Sequence, residues 1–515
     1  MIRTMPSTDP KTSAPTADDA CYLALKARDA RFDGRFFTGV TSTGIYCRPV
    51  CRVRTPKREN CQFYALAAQA ESAGFRPCLR CRPELAPAAV AAGDTLHPWS
   101  TQDASAILAR QAAQLLDEPT LWSDGGPSIA DLARRLGVSE RHVRRIFEAH
   151  WGISPLQYLQ TRRLLMAKRL LTDTQLAVAQ VSALSGFASV RRFNACFLEH
   201  YRLQPRQLRK AVDVRASNAE GKGSIVLKAS YRPPYDVAAL LGFFAKRLLD
   251  GVEWVDTERQ TMARTVSLTT AGQTHSGWVQ VQFVPASCNL VFQISPSLGA
   301  VLPQVLVRMR AWLDLDAQPD AINAVLLADF PGSEGLRVPG CLDGFELGVR
   351  AILGQQITVQ AARTLGARLV ARFGTDLPQP TNRLTRLFPT PHALCMAGSE
   401  ELGQMGIVRQ RQRAIHALAQ AVAHDGLILQ PGVDTAQTVS ALQALPGIGP
   451  WTANYIAMRA LRWPDAWMAG DVALHKALGV PTTSNPRQAA LATEAASQRW
   501  KPWRSYAVVR AWKTL

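Results

Sequence analysis

Two close pairs of cysteines near the start of the chain constrain its fold more than any other feature. Arg-Pro-Val separates Cys47 from Cys51, and Leu-Arg separates Cys78 from Cys81. Two close pairs are the spacing expected where four thiolates meet at a tetrahedral zinc ion. We therefore predict one Zn²⁺ bound by four cysteines, with a small zinc-bound α/β lobe at residues 19–90.

The length and the charge indicate several domains and an anionic partner. The chain has 515 residues and a formal net charge of +19. At roughly 100–200 residues per domain, this length predicts about three or four domains. The positive charge favours nucleic acid as the partner. No apolar run approaches the ~18–20 residues of a membrane span, and the start of the chain is polar, so we expect a cytoplasmic protein without membrane contact.

Changes in composition and periodicity predict a multi-domain α+β fold. Segments such as SIVLKASYR and NLVFQIS are β-branched and bounded by turn residues, which indicates antiparallel strands in what we expect to be the only strand-rich region. Elsewhere the apolar residues follow a helical period. The predicted segments are a disordered tail at 1–18, the zinc lobe at 19–90, an all-α double helix-turn-helix region at 101–210, a linker at 211–224, an antiparallel β-sheet with helices at 225–335 and an all-α region at 336–515.

The predicted zinc site lies in a strongly basic stretch. Four thiolates on Zn²⁺ leave a formal charge of about −2, so one sulfur keeps nucleophilic character. Nearby cations would hold a phosphate backbone against it. A closed structural staple is the alternative interpretation of the same four cysteines. The cations in this stretch are Arg48, Arg52, Arg54, Lys57, Arg58, Arg76, Arg80 and Arg82.

The stretches TGIYCRP and GFRPCLRCRP resemble the N-terminal domain of the Ada family of DNA-methylation sensors. The resemblance implies that Cys47 irreversibly accepts a methyl group from a DNA methylphosphotriester, while the other three cysteines of the pairs remain ligands. Removing one negative charge beside the DNA phosphates would raise the affinity for DNA. Cys21 and Cys61 lie outside the pairs and are predicted to be buried apolar residues.

Two helix-turn-helix units are predicted in the middle of the chain. In the first, Gly137 makes the turn and Ser139 caps a second helix. In the other, Gly186 makes the turn. A role in packing alone is the alternative, but it would not require polar outer faces on the second helices. The candidate DNA-binding residues are Arg141, His142, Arg144 and Arg145 in the first unit, and Ser189, Arg191, Arg192 and Asn194 in the other.

The stretches RRLLMAKRLL and GFASVRRFNACFLEHYRLQPRQLRK resemble the AraC-type DNA-binding domain. That resemblance implies binding to a double-stranded promoter sequence and contact with RNA polymerase. The bases that are read depend on docking geometry and do not follow from the sequence.

A glycine-rich turn in the C-terminal region predicts a second mode of DNA binding. The segment LPGIGPWTANY ends at Tyr455 and places a tight turn before a helix N-terminus, whose unpaired N–H groups can hold a phosphate. Gly447, Gly449 and Thr452 are the candidate DNA-binding residues of this turn. Asp471 follows and begins an apolar helix, so a helix N-cap is the alternative to a catalytic role.

The wider region 225–515 resembles AlkA-type 3-methyladenine DNA glycosylases of the helix-hairpin-helix superfamily, through SYRPPYDVAALLGFFAKR, RAILGQQITVQAARTLGARLV and RWKPWRSYAVVRAW. The resemblance implies that an alkylated purine is flipped into an aromatic pocket. Asp471 would stabilise the oxocarbenium ion that develops as the base leaves. Gln356 stands where relatives insert a wedge. The implied pocket residues are Trp451, Tyr455 and Trp512; plain core packing is their alternative.

Trp451 replaces the lysine nucleophile of strand-cleaving relatives, so a monofunctional hydrolysis is expected. No four-cysteine cluster follows the hairpin, so no iron–sulfur cluster is expected. Together these features predict a monomeric bacterial, nucleoid-associated protein that senses DNA methylation, activates transcription and excises alkylated bases. Two alternatives stay open: a regulator whose glycosylase half only binds DNA, and a glycosylase that uses the other lobes only as DNA tethers.

Overall fold

The computed structural model describes residues 17–88, 104–119, 121–122, 128–213, 223–270, 272–480 and 485–515. The predicted tail at 1–18 and linker at 211–224 lie mainly outside these residues. Where the chain is described, no helix is both long enough and apolar enough to cross a membrane. The arrangement is the predicted multi-domain α+β fold, with a small zinc lobe, a helical region, an antiparallel sheet and a second helical region.

The N-terminal lobe has a four-stranded sheet in the order β3-β1-β2-β4. The prediction of a single strand-rich region at 225–335 is therefore wrong: these strands have two to four residues, too few to show an alternating pattern. β4 pairs parallel with β2, and the other pairs are antiparallel. The elements are α1 (Ala17–Ala27), β1 (Phe37–Val40), β2 (Ile45–Cys47), β3 (Cys61–Tyr64), α2 (Ala67–Ser72) and β4 (Arg76–Pro77).

The middle region is helical, with α4–α5 and α7–α8 forming the two helix-turn-helix pairs. Gly137 ends the first helix at a positive φ of 67°, and Ser139 accepts a hydrogen bond from the His142 N–H at the start of the next. Ser189 caps the second pair in the same way. The elements are α3 (Ala104–Asp117), α4 (Ile129–Leu136), α5 (Glu140–Trp151), α6 (Pro155–Asp173), α7 (Val178–Leu184), α8 (Val190–Tyr201) and α9 (Pro205–Asp213).

An antiparallel five-stranded sheet follows, in the order β5-β9-β8-β7-β6. Its apolar face and the long helix α6 share one continuous buried cluster, to which Leu164, Leu227 and Phe292 belong. The helical region and the sheet are therefore packed against each other. The elements are β5 (Ile225–Ser230), α10 (Val237–Ala245), β6 (Glu253–Asp256), β7 (Thr261–Thr270), β8 (Gln273–Val284), β9 (Asn289–Ile294), α11 (Leu302–Trp312) and α12 (Pro319–Leu326).

The C-terminal region consists of helices, to which a short antiparallel pair, β10 with β11, is added. The glycine-rich turn connects α18 to α19. The elements are α13 (Gly344–Leu353), α14 (Val359–Phe373), β10 (Thr375–Asp376), β11 (Arg386–Leu387), α15 (Pro391–Cys395), α16 (Ser399–Gln404), α17 (Arg409–Ala423), α18 (Thr435–Ala444), α19 (Pro450–Arg459), α20 (Val472–Ala477), α21 (Pro486–Ser497) and α22 (Arg504–Lys513).

A buried ionic network holds α13 against the five-stranded sheet. Arg350 Nη1 donates to Glu253 Oε1 at 2.7 Å and to Glu346 Oε1 at 2.9 Å, and Arg264 pairs with both glutamates. Removing one member would leave a buried charge without its partner, which typically costs about 3–5 kcal/mol. The network thereby fixes the orientation of α13 relative to the sheet.

Candidate metal centre and aromatic pocket

Two parallel neighbouring strands bring the cysteine pairs together. Tyr46 on β2 lies opposite Pro77 on β4, so Cys47 and Cys78 follow side by side at the same edge of the sheet. The four cysteine sulfurs all lie within 4.8 Å of one another. Sulfurs bound to one tetrahedral zinc ion are about 3.8 Å apart, given a Zn–S bond of about 2.3 Å. The donor set therefore fits zinc, and the predicted Cys₄ zinc site is confirmed.

Backbone N–H groups donate to two of these sulfurs. The Arg48 N–H donates to Cys81 Sγ at 3.3 Å, and the Arg80 N–H donates to Cys78 Sγ at 3.4 Å. Such hydrogen bonds favour anionic thiolates and keep them oriented. Among the described residues the four cysteines are the one cluster of this kind, and Cys21 and Cys61 lie outside it.

Arg48 and Arg82 cannot hold a DNA phosphate as the basic stretch suggested. Arg48 is 4% exposed and donates to both carboxylate oxygens of the buried Asp33. Arg82 donates to both carboxylate oxygens of Asp173 at 2.6 and 2.8 Å. Their charges are therefore used inside the protein. The cations of this stretch that stay exposed are Arg52, Arg54, Lys57 and Arg80, with Arg58 and Arg76 half-buried.

Arg48 also connects the zinc lobe to the five-stranded sheet. Arg48 Nη2 donates to Ser230 Oγ on β5 at 3.0 Å. Two residues later, the fully buried Arg232 donates from Nε to the Asp33 backbone carbonyl at 2.9 Å. The residue that follows Cys47 in the chain is thus held jointly by its own lobe and by β5.

A buried carboxyl group connects the zinc lobe to the DNA-binding helices. Glu71 accepts hydrogen bonds from the Tyr46 hydroxyl at 2.9 Å and from the Thr161 hydroxyl of α6 at 2.8 Å. Burial raises the pKa of Glu71 to about 7, although both hydroxyls and the Lys168 ammonium group act in the opposite direction. This contact was not predicted, because the partners are far apart in the chain.

The outer faces of the two second helices carry the predicted DNA-binding residues. His142 is half-buried and lies 3.0 Å from the Arg145 guanidinium. The Ser189 hydroxyl accepts the Arg192 N–H at 3.2 Å, so part of its hydrogen-bonding capacity serves the helix itself. The other members of the set, all exposed, are Arg141, Arg144, Arg145, Arg191, Arg192 and Asn194.

The glycine-rich turn has a geometry that only a glycine fits at Gly447. Its φ is 79°, and an added Cβ would lie 2.8 Å from Ala414 Cβ. Gly449 precedes the first turn of α19, in open space. Thr452 is buried and accepts a hydrogen bond from Gln355 Nε2 at 3.0 Å, so only its backbone N–H remains for a phosphate.

Gln356 lies at an exposed tip between α13 and α14. Its φ of 55° is in the left-handed region, which non-glycine residues rarely adopt. The preceding Gln355 holds this tip to the hairpin, because Nε2 also donates to the Gly447 carbonyl at 3.0 Å. Arg411 in turn donates to the Gln355 carbonyl. The predicted wedge and the predicted phosphate-binding turn therefore form one connected surface.

Two of the three predicted pocket aromatics, Trp451 and Trp512, donate hydrogen bonds to Asp471, and the third, Tyr455, packs against both of their rings. The Trp451 indole N–H donates to Asp471 Oδ2 at 2.8 Å, and the Trp512 indole N–H donates to Oδ1 at 3.3 Å. Oδ1 also accepts the Leu474 N–H at 2.7 Å, so Asp471 is also the N-cap of α20. Asp471 is 8% exposed.

The ring arrangement determines where a flat ligand can lie. Trp451 and Tyr455 stack on each other with centroids 5.1 Å apart at 11°, so nothing fits between them. Tyr455 and Trp512 are 6.3 Å apart and tilted by 46°. A sandwiched base needs a gap of about 7 Å, twice the spacing of stacked bases. The 6.3 Å separation of the Tyr455 and Trp512 ring centroids falls short of this value.

Sequence reasoning missed three residues of this pocket. The Arg247 guanidinium lies 3.8 Å above the Phe243 ring, and the Arg459 guanidinium lies over both Phe243 and Tyr455. Burial alone would raise the pKa of Tyr455, but Arg459 and Arg247 outweigh it, so the pKa is lowered. The aromatic pair in LLGFFAKR was the available signal for Phe243.

Four family models match successive parts of the chain. They are the metal binding domain of Ada at residues 20–84, a helix-turn-helix domain at 132–211, the AlkA N-terminal domain at 226–343 and the HhH-GPD superfamily base excision DNA repair protein at 349–503. The resemblances inferred from the sequence are thereby confirmed.

Similar proteins match either the whole chain or one part of it. A "Probable bifunctional transcriptional activator/DNA repair enzyme AlkA" of Mycobacterium tuberculosis is 35% identical over 509 residues, covering 96% of both chains. The "DNA-3-methyladenine glycosylase 2" of Escherichia coli is 34% identical over 55% of this chain and 96% of its own. The "Bifunctional transcriptional activator/DNA repair enzyme Ada" of Escherichia coli is 36% identical over 30% of this chain and 38% of its own.

Proposed function

The chain belongs to the family of bifunctional transcriptional activator/DNA repair enzymes, and we propose that it detects methylphosphotriesters in DNA through Cys47, activates transcription in response and excises alkylated bases through Asp471. The convergence of two indole N–H groups and a backbone N–H on the Asp471 carboxylate carries the enzymatic part of this proposal. The four clustered thiols carry the sensory part.

Base excision follows from the charge and the shape of the pocket. A flipped alkylated purine that is positively charged would stack between Tyr455 and Trp512 through cation–π attraction. As the glycosidic bond breaks, positive charge develops on the sugar, and the Asp471 carboxylate stabilises it in a largely dry site. Water then takes the place of the base. The substrates are 3-methyladenine and related alkylated bases in double-stranded DNA.

The remaining DNA contacts of this half would be nonspecific. The N–H groups of the first turn of α19, behind Gly447 and Gly449, would hold a phosphate. Gln356 would enter the stack that the flipped base leaves. Neither contact depends on the base sequence, which suits a repair enzyme that must act at any position in the genome.

Methyl transfer to Cys47 is a displacement at carbon. When bound, Zn²⁺ keeps the cysteine sulfurs in the thiolate form. The Cys47 sulfur forms the bond to the methyl carbon, the carbon–oxygen bond of the triester breaks, and the phosphodiester leaves as an anion. Because the formal charge of the site falls from about −2 to about −1, repulsion from DNA decreases.

The exposed basic faces of α5 and α8 would then bind a promoter, near enough to RNA polymerase to activate it. We further propose that the protein is a monomer and that it acts in the bacterial nucleoid. If the zinc and helix-turn-helix lobes served only as DNA tethers, the affinity for the promoter would not change after methylation.

A duplex carrying one methylphosphotriester tests the sensory part. We expect mass spectrometry to find one methyl group on Cys47, and we expect the methylated protein to bind promoter DNA more tightly. Cys61→Ser, at a buried cysteine outside the site, is the matched control and should accept the methyl group normally. An unmodified Cys47 would contradict the proposal.

A further inference from the structure

A small cavity adjoins the proposed methyl acceptor. Its volume is about 20 Å³. Cys47 and Cys51 line it but Cys78 and Cys81 do not, so it lies to one side of the four-sulfur cluster. The residues that matter here are Cys47, Cys51, Thr38, Val40, Leu25 and Val53.

One wall of the cavity has an unexplained polar group. Thr38 on β1 lies directly opposite Cys47 on β2, and opposed residues of an antiparallel pair point to the same face. Thr38 is 0% exposed, and its hydroxyl has no hydrogen-bond partner within the part of the chain that the structure describes. A buried hydroxyl without a partner is destabilising, so the Thr38 side chain contributes to this wall through its volume and not through a hydrogen bond.

The size of the cavity matches the group to be transferred. Cys47 is 6% exposed, and a close-packed interior has no room for an added methyl group. A cavity needs about 10–15 Å³ by this measure to hold one water molecule, which is similar in size to a methyl group. The space beside Cys47 is therefore about the size of one methyl group, and a second carbon would crowd walls that Leu25, Val40 and Val53 share with Thr38.

We propose that this cavity is the subsite that receives the transferred methyl group, and that Thr38 is a positioning residue that sets its size. The inference rests on the proposed methyl transfer to Cys47 and deepens it by naming the selection for methyl over larger alkyl groups. The bond changes are those given above: the sulfur–carbon bond forms, the carbon–oxygen bond breaks, and the phosphodiester leaves with the electron pair.

Small alkylating reagents test the subsite without DNA. The zinc-loaded full chain is treated with methyl iodide or ethyl iodide, and alkylation of each cysteine is followed by mass spectrometry. The half-buried Cys395, in the C-terminal region, reports the intrinsic reactivity of each reagent. We expect Cys47 to prefer methyl over ethyl by about tenfold more than Cys395 does. Equal preference at the two cysteines would overturn the inference.

Three variants distinguish the effect of the cavity volume from the effect of the Thr38 hydroxyl group. Thr38→Leu fills the cavity and should slow methylation of Cys47 by about tenfold, with the zinc content unchanged. Thr38→Val keeps the shape and should retain the preference for methyl. Val40→Ala enlarges the cavity and should admit the ethyl group. If Thr38→Leu binds zinc and is methylated at the normal rate, the subsite is refuted.

A parallel reaction with the methylphosphotriester duplex distinguishes the two proposals. Transfer of methyl from DNA to Cys47 without size selection refutes the subsite alone. Absence of any transfer from DNA to the wild-type protein refutes the proposed methyl acceptor, whatever the iodides show.

Discussion

The buried Glu71 predicts a specific dependence of stability on pH. Its pKa is raised to about 7 in the folded protein from an ordinary value of 4.5. Below pH 4.5 the carboxyl group is protonated in both states and has no effect on the pH dependence. Between these values only the unfolded state ionises, so stability falls as the pH rises. The whole shift corresponds to about 3 kcal/mol, of which about 2 kcal/mol falls between pH 5.5 and 8.5.

Glu71→Gln tests this reasoning, because a glutamine imitates the protonated acid and cannot ionise. We expect the variant to gain about 2 kcal/mol over the wild type between pH 5.5 and 8.5, measured by denaturant unfolding of the zinc-loaded protein at a series of pH values. Glu59→Gln, at an exposed position of the same lobe, makes the same change of charge and should show no such gain. Parallel pH profiles of Glu71→Gln and the wild type would refute the argument.

Three further perturbations have expected outcomes. Arg48→Met should destabilise the protein by about 3–5 kcal/mol in denaturant unfolding, because it leaves Asp33 buried without its partner, and the double variant with Asp33→Leu should recover much of the loss. Gln355→Ala should weaken binding to an abasic duplex by about fivefold, measured by fluorescence anisotropy, because two hydrogen bonds to the hairpin are lost. A zinc chelator should unfold the N-terminal lobe, seen as rapid amide exchange at Tyr46, and leave exchange at Val279 in the five-stranded sheet unchanged.

The elements with strong local signals were predictable. Ser139 caps the helix that it was predicted to cap, and Gly137 ends a helix where a turn was expected. The four clustered cysteines likewise follow from their spacing. In each case the physical cause lies within a few residues, so it is visible in a linear pattern.

The contacts between distant segments were not predictable. Arg48 looked like a phosphate-binding cation, since a sequence does not show that Asp33 and Ser230 surround it. Thr452 was predicted to bind DNA, but its side chain is buried and hydrogen-bonded to Gln355. Burial of a charged or polar side chain depends on the packing of whole domains, which no local pattern records.

Asp471 shows that a structural role does not exclude a proposed catalytic one. It caps α20, as the local pattern suggested, and the indole groups of Trp451 and Trp512 hold its carboxylate in the pocket. The cap fixes the direction of the carboxylate, which is what a group that must stabilise a developing charge requires.

The most direct measurement compares release of free alkylated bases from methylated duplex DNA by the wild type and by Asp471→Asn. Asparagine retains the helix cap and removes the charge, so the fold should persist. Asp434→Asn, at the cap of α18, is the matched control and should stay active. We expect release by the wild type and the control, and loss of release in Asp471→Asn. Full activity of Asp471→Asn, or no release by the wild type, would contradict this expectation.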